Sequence, residues 1–338
     1  MTNSSAPRSA PSQPWQEIFQ GGSEPAEQRV FADLALRMVS LQRANQQAAG
    51  SAIPHRTLHA KIVVGVNNAE LAFADTLPSD LQIGDFIAGA RLPATVRLSN
   101  ANGALRSDTV PDVRGAAVKL ELPNGVEHDL LATSYPVSHA RNATQFVEIA
   151  EIGAGPADHV AAAMLAAFGP AETERIADNL KRATRPSDSL ALESYWSRGA
   201  VLWGAAGPVR FRFSPLQAGP PVPVPADDPD RLRLEFAARL QQAPCRFALH
   251  VQRFVNEELT PIEDGAVEWR EQDAPWVQVA TLTIPEQDIL GPDGQAAREH
   301  VDALAFNPWH APTQFRPLGN VNRARRAVYT ASAQAWQA

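Results

Sequence analysis

Three groups of residues in the 338-residue chain have types and spacings suited to chemistry. The first is Arg56-Thr57-Leu58-His59-Ala60-Lys61. Histidine gains and loses a proton near neutrality, so His59 is a candidate acid–base group, although a lone histidine on a strand is more often a packed or surface residue. The second is Val96-Arg97-Leu98-Ser99-Asn100, followed by the run Ser107 to Gly115 with Arg114. An arginine turned inward from a strand is costly unless it meets an anion. The plainer reading of Arg56, Arg97 and Arg114 is exposed strand residues. The third group is Arg323, Arg325, Arg326 and Tyr329. On a helix, Arg325 and Tyr329 fall at i and i+4, one above the other. The plain alternative is a basic helix end with an aromatic anchor.

The remaining reactive types offer less. The single cysteine, Cys245, excludes an intramolecular disulfide and all but excludes a thiolate cluster. It opens a strand-like run and reads as core, and it has no surrounding motif that would make it a haem ligand. Cysteine scarcity fits a reducing, cytoplasmic location. His55 and His59 stand four apart but flank a strand, where that spacing is too long to share one ion. His128, His159, His250 and His300 have no close partner, so no zinc site is expected. His310, in PWHAP, is placed to cap or contact the final helix. Asp227-Asp228 reads as a solvated loop.

Composition sets the frame. Hydrophobic residues make up 44% and charged residues 20%, with a formal net charge of −7. This is a globular balance with room for a large core, and it gives no electrostatic reason to bind nucleic acid. No apolar run is long enough for a transmembrane segment. The opening MTNSSAPRSAPSQPW has no apolar stretch of the secretory kind and reads as a disordered polar tail over residues 1–14. No glycine-rich fingerprint follows a strand, so no nicotinamide cofactor is expected.

The elements must bring the three groups together. Ala26 to Gln47 has helical spacing, closed by Ile53-Pro54. Strands are predicted over Leu58–Val66, within Ala88–Ser99 and over Val113–Leu122, with Asn124-Gly125 as a hairpin turn. Ala143 to Tyr195 is alanine-rich and helical, punctuated by Pro170 and Pro186. Strands resume at Val209, Cys245 and Trp276, around a proline-rich connector from Gly219 to Asp230. A last helix begins near Val321. Helix, strands, helices, strands, helix, with no repeat and no clean linker, predicts an α+β chain with one antiparallel β-barrel.

In this order the motifs resemble the catalase superfamily. The family's R-x-x-H-A-x-G reads Arg56-Thr57-Leu58-His59-Ala60-Lys61, with Ile62 where glycine is usual. Its R-F-S resembles Arg97-Leu98-Ser99. Its S-A-D-T-x-R-D-x-R-G-F-A-V-K resembles SDTVPDVRGAAVK, Ser107 to Lys119. Its W-D-L-V-G-N-N-T-P-x-F-F-x-R resembles HDLLATSYPVSHAR, His128 to Arg141. Its R-x-x-x-Y resembles Arg325 to Tyr329. The likeness runs from Arg56 to Tyr329 and is to the short relatives, without the C-terminal helical domain of large catalases.

That resemblance implies a catalase-like haem-binding domain over residues 15–338, with haem b held through Tyr329 as the iron ligand. A phenol ordinarily ionises near pH 10, and Arg325 would favour the anion. His59 would be the distal acid–base group, with Ser99 fixing its tautomer. Arg56 and Arg97 would pair with haem propionates. Phe146 falls where the family has an aromatic near the distal face, or is simply helix core, and His139 lies close to that segment. Where the family has a distal asparagine this chain has Ser134, which donates one hydrogen bond only. The implied reaction is peroxidase turnover of hydrogen peroxide or an organic hydroperoxide with an organic donor, through a ferryl intermediate, with weak catalase activity. Rearrangement of a fatty-acid hydroperoxide and non-catalytic haem binding are the alternatives. The partners are peroxide and a small organic or lipid substrate, with a homodimer as one plausible assembly.

Overall fold

A computed structural model describes residues 14–48, 50 and 56–337, apart from the side chains of 336 and 337. The tail expected over 1–14 therefore falls, but for Pro14, outside the described residues, as do Ile53-Pro54 and His55. The strands are β1 (Ile62–Phe73), β2 (Arg91–Asn100), β3 (Arg114–Glu121), β4 (Glu127–Thr133), β5 (Tyr195–Trp196), β6 (Val201–Leu202), β7 (Pro208–Pro215), β8 (Cys245–Arg253) and β9 (Val277–Ile284). The helices are α1 (Glu24–Ala48), α2 (Ala143–Ala154), α3 (Ala157–Ala183), α4 (Arg231–Leu240), α5 (Pro292–Ala303) and α6 (Asn320–Gln337). Antiparallel neighbours run β5-β4-β3-β2-β1-β9-β8-β7, and β5 also pairs with β7. Eight strands thus close into a barrel, leaving β6 beside β7 outside the ring. Closure removes the unpaired edges that an open sheet would present. This is the α+β antiparallel barrel predicted from the sequence.

Side chains alternate across a strand. From β2 to β4 the even positions Val96, Leu98, Ala116, Val118, Leu120, Leu130 and Ala132 turn into the barrel core. Phe86 packs there between Phe315 and His128, with ring centroids 4.5 Å and 5.2 Å away. The odd positions turn outward beneath the helices, and the pairing sets them in rows. Ser99, Gly115 and Thr133 form one row, and Arg97, Ala117 and Leu131 the next.

Several elements differ from expectation. The first strand begins at Ile62 rather than Leu58, because residues 58–61 form a loop. Helix α3 is broken at Gly169, where φ is +73° and Pro170 follows; proline blocks a continuous helix and glycine accepts the left-handed turn. Helices α4 and α5 were not anticipated. Cys245 is buried, as expected. No described helix is long and apolar enough to cross a membrane.

Helix α6 is anchored by Arg323. Its Nε and Nη2 donate to Glu27 on α1 at 2.7 Å and 2.8 Å. It also pairs with Glu17 at 3.0 Å and Glu263 at 2.9 Å, and its guanidinium lies 4.9 Å from the Phe19 ring centroid. Burial disfavours the charge of Arg323, yet its hydrogen bonds to Glu27 and Glu263 outweigh it and raise the pKa above the ordinary value. Replacing Arg323 by methionine leaves Glu27 and Glu263 without their cation, while Glu17 keeps Arg316 at 2.6 Å. Loss of one partner of a buried ion pair costs about 3–5 kcal/mol. Urea denaturation of Arg323→Met at neutral pH is expected to show a loss of that order.

Candidate functional site

A cavity of about 540 Å³ lies between the outward rows of β2–β4 and helices α1, α2 and α6. On the sheet side stands His59. Its backbone has φ +58°, a left-handed conformation uncommon outside glycine. The loop is held there by Ala101 O, which accepts from His59 N at 2.9 Å, and by Arg97, which donates from Nη2 to His59 O at 2.9 Å. Arg97 is itself fixed by Asp302 on α5, whose Oδ1 accepts from Nη2 at 2.9 Å. So folded, the loop lays the imidazole over Gly115, with Nδ1 3.1 Å from Ser99 Oγ. A Cβ on Gly115 would lie 2.4 Å from Nδ1. Glycine is required here by space rather than by φ.

The imidazole is half-buried, but it faces the cavity rather than bulk water. Burial, then the positive charges of Arg97, Arg325, Arg198 and Arg56, push its pKa down to about 3. It is therefore neutral at pH 7. On the helix side, α6 presents Tyr329, whose Oη accepts from Arg325 Nη2 at 2.8 Å. Asn322 steadies the same guanidinium from 3.1 Å. The i, i+4 spacing read from the sequence thus brings the pair together as expected.

Arg56 lines the cavity and donates to the carbonyls of Asp302 and Leu304 at 2.6 Å and 2.8 Å. Phe146 also lines it, from α2, and packs against His139 with the rings tilted and their centroids 5.1 Å apart. His139 itself and Ser134 are not among the lining residues. Ser134 Oγ accepts from Arg114 N at 2.8 Å, so its hydroxyl is engaged in the strand end. Its neighbour Thr133 lines the cavity instead, with Oγ1 buried and without a hydrogen-bond partner. Arg114 is buried away from the cavity, against Asn100 and the carbonyls of Asp108 and Val110.

Sequence reasoning missed Gly115, Thr133, Asp302 and Arg198 as site residues. Arg198 lines the cavity with φ +58° and a buried Nε without a partner. It stands in no motif that could have flagged it. Together these residues fit a porphyrin. The cavity has an imidazole on one wall and a phenol on the other. Its sides are largely apolar, and Arg56, Arg97 and Arg198 are placed where carboxylates would be attracted. No cluster of metal-ligating histidine, cysteine or carboxylate side chains occurs among the described residues.

Two measurements test this geometry. In Gly115→Ala, the new methyl must push the imidazole off Ser99, which is expected to abolish the Nδ1 hydrogen bond in ¹⁵N spectra while the barrel stays folded. The second concerns acid. His59, His128 and His139 are each held neutral down to about pH 3, in every case chiefly by burial. In the unfolded chain they take up protons near pH 6.5. The unfolded state binds more protons between those values, so stability is expected to fall as pH drops from neutrality towards 3. Denaturation midpoints across that range would show it.

No family model matches the chain. It is similar to the catalase-related peroxidase of Mycolicibacterium paratuberculosis, with 29% identity over 277 residues, 75% of this chain and 80% of that protein. Among solved structures it superposes on a bacterial catalase with a TM-score of 0.62 and 16% identity, over 86% of this chain and 58% of that one. A fungal catalase gives 0.61 and 17%, over 100% and 67%. Catalase A from Saccharomyces cerevisiae gives 0.63 and 16%, over 96% and 67%. The chain thus spans 58% to 67% of the length of these catalases and shares their fold. The chain thus has the catalase fold and, along three quarters of its length, is similar to a catalase-related peroxidase.

Proposed function

We propose that residues 15–338 form one haem-binding domain in which this oxidoreductase uses hydrogen peroxide or an organic hydroperoxide to oxidise an organic donor. The observation that carries the reading is the pairing of His59 and Tyr329 on opposite walls of one cavity. Haem b, held through Tyr329, would supply the redox chemistry. The chain's own residues do the rest. Arg325 sets a permanent positive charge against the oxygen that would face the iron. His59, neutral and fixed by Ser99, accepts the proton from one peroxide oxygen and returns it to the other as the O–O bond breaks. Arg56 and Arg97 supply positive charge for the carboxylates of the cofactor, and Arg97 also holds the His59 loop. Phe146 contributes an apolar wall.

Residual catalase activity belongs to the same reading. With Ser134 engaged by Arg114, Thr133 is the hydroxyl that the segment Thr133–Pro136 offers the cavity. One hydroxyl holds a second peroxide less firmly than an amide.

Absorption spectroscopy of haem-loaded protein tests the ligand. Tyr329→Phe is expected to lose the tyrosinate-type ferric spectrum, and an unchanged spectrum would overturn the assignment. Substituting His59 by alanine is expected to slow peroxide-driven turnover by on the order of a hundred-fold or more; full turnover would refute the mechanism. Because His59 stays neutral down to about pH 3, the wild-type rate of reaction with peroxide is expected to hold level from neutrality and fall only as that pH is approached. Rearranged product from a fatty-acid hydroperoxide with no donor present would favour isomerase or dehydratase chemistry.

A further inference from the structure

Ala117 and Leu131 line the cavity, and behind its wall the next row of the sheet pairs Lys119 on β3 with Asp129 on β4. Asp129 is fully buried, with 0% of its side chain exposed. Lys119 Nζ donates to both its oxygens, at 2.9 Å and 3.1 Å, and Asn307 N donates to Oδ2 at 2.8 Å. Its last partner is His310, with Nδ1 3.0 Å from Oδ2. A carboxylate that is ion-paired with lysine can only accept, so the proton in that bond belongs to His310 Nδ1. In the tautomer so fixed, the lone pair of the imidazole lies on Nε2. Nothing among the described residues bonds Nε2, and the ring lines the cavity with 36% of its side chain open. The turn that carries it is pinned at both ends. His310 O accepts from Asp129 N at 2.8 Å, and His310 N donates to Asn307 O at 2.9 Å.

We propose that His310 is a second catalytic base, which takes the proton of the organic donor, and that this donor is a phenol or hydroquinone. The inference rests on the peroxidase reading above. A phenol that gives up one electron becomes a strong acid, so an oriented base beside its hydroxyl lowers the barrier to its oxidation. Ala117, Leu131 and Phe306 supply an apolar surface for its ring beside the imidazole. The O–H bond breaks, the proton passes to Nε2 and a phenoxyl radical leaves, while haem, where bound and oxidised by peroxide, would take up the electron. Two such steps balance the two electrons taken by each peroxide. His59 and His310 then divide the proton work, one for the oxidant and one for the reductant, in one cavity. Asp129 acts through His310 as a positioning residue.

The test compares two donors in haem-loaded protein: guaiacol, which gives a proton with its electron, and ferrocyanide, which gives an electron alone. In His310→Gln the ratio of guaiacol to ferrocyanide oxidation is expected to fall by on the order of a hundred-fold. A proportional loss with both donors, or an unchanged ratio, would overturn the role. Independently of any variant, ¹⁵N-histidine spectra of the wild type are expected to show protonated Nδ1 and an Nε2 resonance that shifts when phenol is added. A resonance indifferent to phenol counts against the site. Wild-type protein that oxidises neither donor would bring down the peroxidase reading, and this inference with it.

Discussion

Because side chains alternate across a strand, the register of β2, β3 and β4 decides which residues reach the cavity and which fill the barrel. In the observed register Ser99, Gly115 and Thr133 share a row, with Arg97, Ala117 and Leu131 below it and Lys119 and Asp129 below that. A slip of one residue in β4 would turn Asp129 into the barrel among Phe86, Trp203 and Phe315, and would bring Leu130 and Ala132 to the cavity. Burying that carboxylate without Lys119 is prohibitive. Barrel closure strengthens the constraint, since each of these strands is held on both sides. The apolar interior and the reactive exterior are therefore two faces of a single choice.

The cavity is rich in guanidinium groups. Arg56, Arg97, Arg198 and Arg325 all bear on His59 and oppose its protonation. Asp302 offsets part of this charge by pairing with Arg97 at 2.9 Å and approaching Arg56 at 4.0 Å. Arg198 has no such offset among the described residues. One arrangement therefore serves two ends. It draws anionic groups into the cavity, and it keeps the imidazole in the form that accepts a proton.

What the sequence revealed followed local rules. Arg325 and Tyr329 were legible because one helical turn brings them together whatever surrounds them. The barrel was legible from strand alternation. The meeting of His59 with Ser99 came only through family likeness, since it depends on a left-handed backbone at His59 and a missing side chain at Gly115. Asp302 escaped notice because α5 is short and polar, and nothing nearby marks it as the partner of Arg97 or Arg56. The hydroxyl on the cavity wall was taken to be Ser134 rather than Thr133. Which of two neighbours faces a cavity depends on the phase of the strand, and that phase is fixed by pairing with Gly115 rather than by the segment itself. His310, expected against the final helix, bonds Asp129 on β4 for the same reason: its partner is distant in sequence.

Arg323 and Glu27 stand 296 residues apart. Bringing such distant segments together carries a loop-closure entropy that grows only slowly with length and arises once, with the first contact. The remaining bonds, from Arg323 to Glu17 and Glu263 and from Asn320 to Glu27, then form within a loop already shut. The helix that carries Tyr329 is thus held by contacts that reinforce one another. The wall it forms behaves as a door with several bolts on one frame, either seated with its phenol in place or released as a whole.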